Sequence, residues 1–215
     1  MPGPQGPHKI LVIGEPGIGK TSLIRRYVDN VFDKNYTATL GVDFALKVVP
    51  WDNNMQIQLQ LWDIAGQERF SSMTRVYYKQ AIACVIIFDI TRLPTLKAVA
   101  RWKNDLDGKA SLPNGDPIPC LLVANKCDLP ERPIPKEDIQ QLCDEHGFIG
   151  WIETSAKEDV NVSKAMRYLI EHILYLHEDE HGDDGAPAGG ASSNTVSLDS
   201  SSAQKPKKSD CCGGK

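Results

Sequence analysis

Lys9-Ile-Leu-Val-Ile-Gly-Glu-Pro-Gly-Ile-Gly-Lys-Thr-Ser22 runs a β-branched apolar segment into a glycine-rich turn, and the turn opens an amphipathic stretch from Gly19 to Val28. Gly14 to Thr21 matches G-x-x-x-x-G-K-[ST] with a strand before it and a helix after it, the context in which the motif works. Its glycines let backbone amides curl around phosphate oxygens at the positive end of a helix. On this reading Gly14, Glu15, Pro16, Gly17, Ile18, Gly19, Lys20, Thr21 and Ser22 form a phosphate cradle. Lys20 is expected to bridge the β- and γ-phosphates, and the Thr21 hydroxyl to ligate Mg²⁺.

Outward from this unit, strand-like and helical segments alternate. Ala83 to Asp89, Cys120 to Asn125 and Ile152 to Thr154 read as strands. Thr95 to Asp107, Lys136 to His146 and Val162 to Leu176 read as helices, the last with Ala165, Met166, Leu169, Ile170 and Ile173 on one face. The continuous apolar runs Cys84 to Phe88 and Cys120 to Ala124 predict strands buried on both faces of a mostly parallel sheet. Gln56-Ile-Gln-Leu-Gln-Leu61 alternates strictly, as a strand with one wet face does, and is expected to hairpin with Val42 to Val49 across Trp51 to Asn54. The fold expected is an α/β doubly wound, six-stranded, mostly parallel sheet with helices on both faces.

Composition narrows the function. The 215 residues carry 24 Lys plus Arg against 28 Asp plus Glu, a net charge of −4 that offers nucleic acid no basic footprint. Of the six cysteines, Cys84, Cys120, Cys127 and Cys143 are scattered without metal or disulfide spacing, which fits a reducing cytosol. The five histidines show no ligand clustering. Met1 to His8 lacks the basic and apolar regions of a signal peptide, and the run Ala81 to Phe88 falls far short of the ~20 residues that span a bilayer.

Further motifs follow the later strands. In Asp63-Ile-Ala-Gly-Gln67 the carboxylate of Asp63 suits Mg²⁺, the Gly66 amide would face a γ-phosphate, and Gln67 would orient the attacking water. Lys20, Gly66 and Gln67 are therefore the catalytic candidates. Asn125-Lys-Cys-Asp128 sits at a strand end, where doubly wound sheets bind ligands. Asp128 there can accept two hydrogen bonds from guanine, whereas adenine would leave it unpaired at a cost of roughly 1–3 kcal/mol. Asn125, Lys126 and Asp128, with Ser155, Ala156 and Lys157 of Glu153-Thr-Ser-Ala-Lys157, complete the base pocket, the Ala156 amide donating to the guanine O6.

The ordered set GEPGIGKT, Thr39, DIAGQ, NKCD and ETSAK resembles the small Ras-like GTPases. Leu40 to Phe44, Arg69 to Thr74, Tyr77 to Ala81 and Ile86 to Thr91 resemble Rab signature segments. Gly41 to Lys47, Ile64, Met73 to Tyr78 and Leu112 to Gly115 resemble the Rab subgroup associated with melanosomes and other lysosome-related organelles. The resemblance implies a GTP-hydrolysing switch that binds GTP or GDP with Mg²⁺. Thr21, Thr39 and Asp63 would be the metal ligands, and 32–41 and 65–78 the two switch loops. It implies effector contacts at Leu40, Gly41, Val42, Asp43, Phe44, Trp62, Met73, Arg75 and Tyr77, with Phe44, Trp62 and Tyr77 as an aromatic triad. An exchange factor, a GTPase-activating protein, a prenylation escort and a GDP-dissociation inhibitor are the implied partners, and a monomer is expected. Pro16 stands where Rabs commonly carry a small residue such as Ser. It stiffens the loop and removes an N–H, yet the retained Gln67 is expected to support intrinsic hydrolysis.

Residues 1–7 read as a flexible N-terminus, 8–176 as the GTPase domain and 177–215 as a disordered tail, poor in apolar residues and spanning roughly 35 Å as a flexible coil. The tail ends in Cys211-Cys212-Gly-Gly-Lys215, a double-cysteine end that resembles the Rab signal for two geranylgeranyl groups. Two chains anchor stably where one is marginal, and Lys205, Lys207 and Lys208 could add attraction to an anionic leaflet. The expected protein cycles between the cytosol and the cytoplasmic face of endosomal or lysosome-related membranes, recruiting effectors for vesicle trafficking. Other readings remain open at this point: a nucleotide-binding scaffold with negligible hydrolysis, a P-loop kinase for a small metabolite, or a Rab of another endosomal or Golgi route.

Overall fold

The apolar run after Pro7 extends as β1 (His8–Ile13), and the glycine-rich turn hands it to α1 (Lys20–Asp29). The chain continues through β2 (Val42–Pro50), β3 (Gln56–Ile64), α2 (Thr74–Tyr78), β4 (Ala83–Asp89) and α3 (Leu93–Asp107). It closes with β5 (Cys120–Asn125), α4 (Lys136–Glu145), β6 (Gly150–Thr154), α5 (Val162–His181) and β7 (Val196–Ser197). The computed structural model describes residues 6–35, 37–51, 55–67, 74–181 and 196–197.

One sheet in the order β2-β3-β1-β4-β5-β6-β7 joins all the strands. Only β2 runs antiparallel to its neighbour, pairing Phe44 with Trp62 and Ala45 with Leu61 in the expected hairpin, whose tip at 52–54 lies outside the described residues. β4 and β5 are buried at every position, as strands covered on both faces must be. β1 divides its side chains between two cores, Leu11 and Ile13 on one face, Ile10 and Val12 on the other. The first core packs under α3 and α4 through Leu96, Val99, Trp102, Ile139 and Cys143. The second packs under α1 and α5 through Leu23, Leu169, Ile170 and Ile173. Truncating a central residue such as Leu122 to Ala would cost about 2–5 kcal/mol.

Besides α2, which the sequence reading did not include, two differences go beyond one or two residues at an element's end. α5 continues past Leu176 to His181, because nothing after Leu176 breaks a helix before Gly182. Val196–Ser197, inside the segment expected to be wholly disordered, pairs in parallel with Gly150 and Trp151 as a seventh strand on the open sheet edge. These β-branched and small residues suit strand pairing better than the acidic and glycine-rich stretch before them. Among the described residues no helix is long and apolar enough to cross a membrane.

Candidate functional site

The loops after β1, β3, β5 and β6 meet at the carboxyl ends of the strands, the crevice where this architecture binds ligands. They enclose a cavity of about 550 Å³. Of the residues nominated from sequence, Pro16, Gly17, Gly19, Lys20, Thr21, Ser22, Thr39, Leu40, Gly66, Gln67, Asn125, Lys126, Asp128, Ala156 and Lys157 line it. Gly14, Ile18, Asp63 and Ser155 are buried behind the wall, and Glu15, half-buried, does not line the cavity. Ile18 is fully buried in the core, so its side chain holds the loop down and leaves ligand contact to its backbone.

Gly19 precedes α1 in the left-handed conformation, φ 97°, and a Cβ there would come within 2.5 Å of Asn125 Nδ2. Glycine is thus required both by the backbone and by the close approach of the β5 loop. Lys20 folds back so that its ammonium donates to the carbonyls of Gly14 and Glu15, both at 3.0 Å. Burial lowers its pKa to about 8, against the opposing pull of Asp63 and Glu15.

Beside Lys20, three oxygen-bearing side chains converge. The Thr21 and Thr39 hydroxyls lie 2.9 Å apart, and both donate to Asp63 Oδ2, Thr39 at 3.1 Å. Asp63 Oδ1 is buried with no hydrogen-bond partner among the described residues, and burial raises the pKa of its carboxyl. An orphaned carboxylate oxygen beside two hydroxyls is a hard-oxygen set that fits a small divalent cation.

At the base end, Asn125 is a buried strut. Its Nδ2 donates to the Ile18 carbonyl at 2.8 Å, while its Oδ1 accepts from Thr154 Oγ1 at 3.2 Å and from the Ala156 amide at 3.3 Å. The Ala156 amide, expected to face a guanine O6, is therefore turned to Asn125, which competes for the same donor. Asp128 receives Ser155 Oγ at 2.6 Å and lies 3.8 Å from Lys157 Nζ. Ser155 accordingly orients the carboxylate from behind the wall.

Several supporting residues were not legible in the sequence. Asp89, at the end of β4, accepts from Lys126 Nζ at 2.7 Å and from Arg92 Nε at 3.0 Å. These cations also donate to the phosphate loop, Lys126 to Gly17 O at 2.9 Å and Arg92 to Pro16 O at 3.4 Å. Burial would raise the Asp89 pKa, but the bonds from Lys126 and Thr91 prevail and hold it below the ordinary carboxylate value. Trp102 Nε1 donates to Glu15 at 3.2 Å, and Arg26 donates to the carbonyls of Ala156 and Lys157 at 2.9 and 3.0 Å. The one local clue was an acidic residue closing a fully apolar strand at Asp89.

Gly66 lies against the phosphate loop so closely that a Cβ would meet Pro16 N at 2.4 Å and Pro16 Cδ at 2.7 Å. Half of the described residues in the nominated effector surface face outward. Leu40 is 89% exposed and Phe44 58%, with Asp43 and Arg75 also exposed. Gly41, Val42, Trp62 and Tyr77 are half-buried, and Phe44 stacks on Trp62 with ring centroids 6.1 Å apart. Leu46 and Val76, 61% and 63% exposed, extend this apolar surface beyond the residues nominated from sequence. Met73, Cys211 and Cys212 lie outside the described residues.

Residues 9–175 match the model of the Ras family. Ras-related protein Rab-32 of Sus scrofa is 50% identical over 205 residues, 95% of this chain and 88% of the relative. Ras-related protein Rab-7L1 of Homo sapiens is 55% identical over 166 residues, covering 77% of this chain and 82% of the relative. Ras-related protein Rab-32A of Dictyostelium discoideum is 55% identical over 170 residues, 78% of each chain. Cradle, strut and orphaned carboxylate thus stand in a chain that belongs to the Ras family of small GTPases, within its Rab group alongside the Rab-32 and Rab-7L1 proteins.

Proposed function

We propose that this guanine-nucleotide-binding switch uses Thr21, Thr39 and Asp63 to hold Mg²⁺ and Gln67 to direct hydrolysis. The observation that carries the metal reading is the buried Asp63 Oδ1, unpartnered among the described residues, beside the paired hydroxyls of Thr21 and Thr39. A bound Mg²⁺ supplies charge neutralisation on the β- and γ-phosphates. Lys20 then exchanges its two backbone carbonyls for phosphate oxygens, so a ligand replaces bonds already oriented into the site. Gln67 orients a water in line with the γ-phosphorus; the new P–O bond forms as the bond to the β-phosphate oxygen breaks, leaving GDP and inorganic phosphate. Gly66, pressed on Pro16, sets where the second switch meets the phosphate loop. Asp128 selects guanine.

On this reading 8–176 is the catalytic unit, 1–7 a flexible N-terminus, and the chain beyond α5, apart from the short β7 pairing, a tether. Thr39 couples the γ-phosphate to residues 32–41, and Gln67 couples it to residues 65–78, so that Leu40, Phe44, Trp62, Arg75 and Tyr77 offer their exposed surface to effectors in the GTP state, with Met73 in the same segment. An exchange factor and an activating protein set the two rates, an escort delivers prenyl groups to Cys211 and Cys212, and a dissociation inhibitor extracts the GDP form. The membrane is that of an endosomal or lysosome-related organelle.

The test compares tagged full chains in cells: wild type, Gln67→Leu, Thr21→Asn, and the double Cys211→Ser, Cys212→Ser variant. Wild type and Gln67→Leu should mark lysosome-related compartments, while the other two become cytosolic. Identical distributions would show that neither nucleotide nor lipid controls targeting. In parallel, GTP but not ATP should displace bound GDP from the purified chain, and chelating Mg²⁺ should accelerate GDP release.

A further inference from the structure

Lys9 stands on β1, remote in sequence from both switches, yet its ammonium lies 3.6 Å from the centroid of the Trp62 ring. The same ammonium donates at 3.0 Å to the carbonyl of Lys79, the residue that follows α2. The Lys9 carbonyl meanwhile accepts from the Ile82 amide at 3.0 Å, so side chain and backbone grip one junction. The β1–β3 register sets Lys9 against Gln60 and Leu11 against Trp62, which lets the lysine reach along its own face of the sheet to the indole. Burial lowers the Lys9 pKa, the mark of an ammonium that has shed part of its water, and a partly desolvated cation interacts more strongly with a ring face. Among the described residues Trp62 has no competing polar hold. Its Nε1 is buried and finds no acceptor among the described residues, leaving the Phe44 stack as its other aromatic contact.

We infer that Lys9 is a positioning residue that clamps the Trp62 ring to the end of α2 and thereby couples the second switch to the aromatic surface that partners read. The inference rests on the proposed reading of Phe44, Trp62 and Tyr77 as that surface. The Lys79 carbonyl holds the ammonium over the ring only while the end of α2 keeps its place. When the second switch rearranges, the anchor moves and its hold on the indole is lost. Neutralising Lys9 should shift the ring's conformational equilibrium roughly two- to thirtyfold.

The test labels the full chain with 5-fluorotryptophan and follows its four tryptophans by ¹⁹F NMR in the GDP form and with a non-hydrolysable GTP analogue. Trp62→Phe assigns the resonance. Wild type should show a Trp62 shift between the two forms. Lys9→Met and Lys9→Gln should collapse that separation with the GDP form still folded, and Lys9→Arg, which keeps a cation and a donor, should restore it. A Trp62 separation in the neutral variants equal to wild type overturns the role of Lys9. Absence of any separation in wild type removes the aromatic readout itself, and the inference with it.

Discussion

The nucleotide cradle and the β2–α2 edge lie on one sheet but are stabilised in opposite ways. In the cradle nearly every polar group answers another: Lys20 meets Gly14 and Glu15, Asn125 meets Ile18 and Ala156, and Asp89 meets Lys126 and Arg92. At the edge Leu40, Phe44, Leu46 and Val76 spread apolar surface into water. Internal pairing makes the first region a preorganised receptor for a small ligand, whereas the second gains its burial only from a macromolecular partner. Substitutions in the first should therefore damage nucleotide affinity, and those in the second should spare it.

Asn125→Ala should produce the largest effect, because it strands the Ile18 carbonyl and the Ala156 amide together. At about 1–3 kcal/mol for each buried group left unpaired, GDP should dissociate on the order of 100-fold faster or more, measured with a fluorescent nucleotide. Gly66→Ala comes next. Its Cβ would strike the Pro16 nitrogen and the Glu15 carbonyl carbon, backbone atoms that Pro16→Gly cannot remove, so hydrolysis should slow on the order of 100-fold and the double variant should not recover. Recovery would show that the ring alone sets the contact.

A smaller effect concerns pH. Burial lowers the Lys20 pKa to about 8, and bound phosphates would raise it. Below pH 8 the lysine is charged in both states and affinity should be flat. Above it, binding must take up a proton, so affinity should fall by up to about tenfold per pH unit, read by titration calorimetry in buffers of different ionisation enthalpy. The smallest effect tests the other side of the comparison. Leu46→Ala, on an exposed face of β2, should change stability by no more than about 0.5 kcal/mol in denaturant unfolding and leave GDP affinity unaltered. A large loss of either would mean that the edge is part of the cradle's support.

The pattern of these effects follows what could and could not be read along the chain. The phosphate loop, the alternating Gln56 to Leu61 strand and the apolar β4 and β5 were legible because each is a local pattern, carried by consecutive residues. Thr21 and Asp63 were legible as metal-ligand candidates from their own motifs, but Thr39 joined them only through resemblance, since no local pattern marks a lone threonine. The Asp89–Arg92–Lys126 clamp, the Trp102–Glu15 bond and the Lys9–Trp62 contact join strand ends and helices that meet only once the sheet is assembled. β7 was missed for another reason. A two-residue strand has no period, and its pairing depends on the open edge that β6 offers.

The most direct test is single-turnover GTP hydrolysis by the purified full chain with Mg²⁺, comparing wild type with Gln67→Leu. A preorganised cradle that acts through Gln67 predicts slow intrinsic turnover, on the order of 10⁻⁴ to 10⁻² s⁻¹, that is lost in the variant while GTP remains tightly bound. A rate unchanged by Gln67→Leu would contradict the account, placing the control of hydrolysis elsewhere than in the second switch.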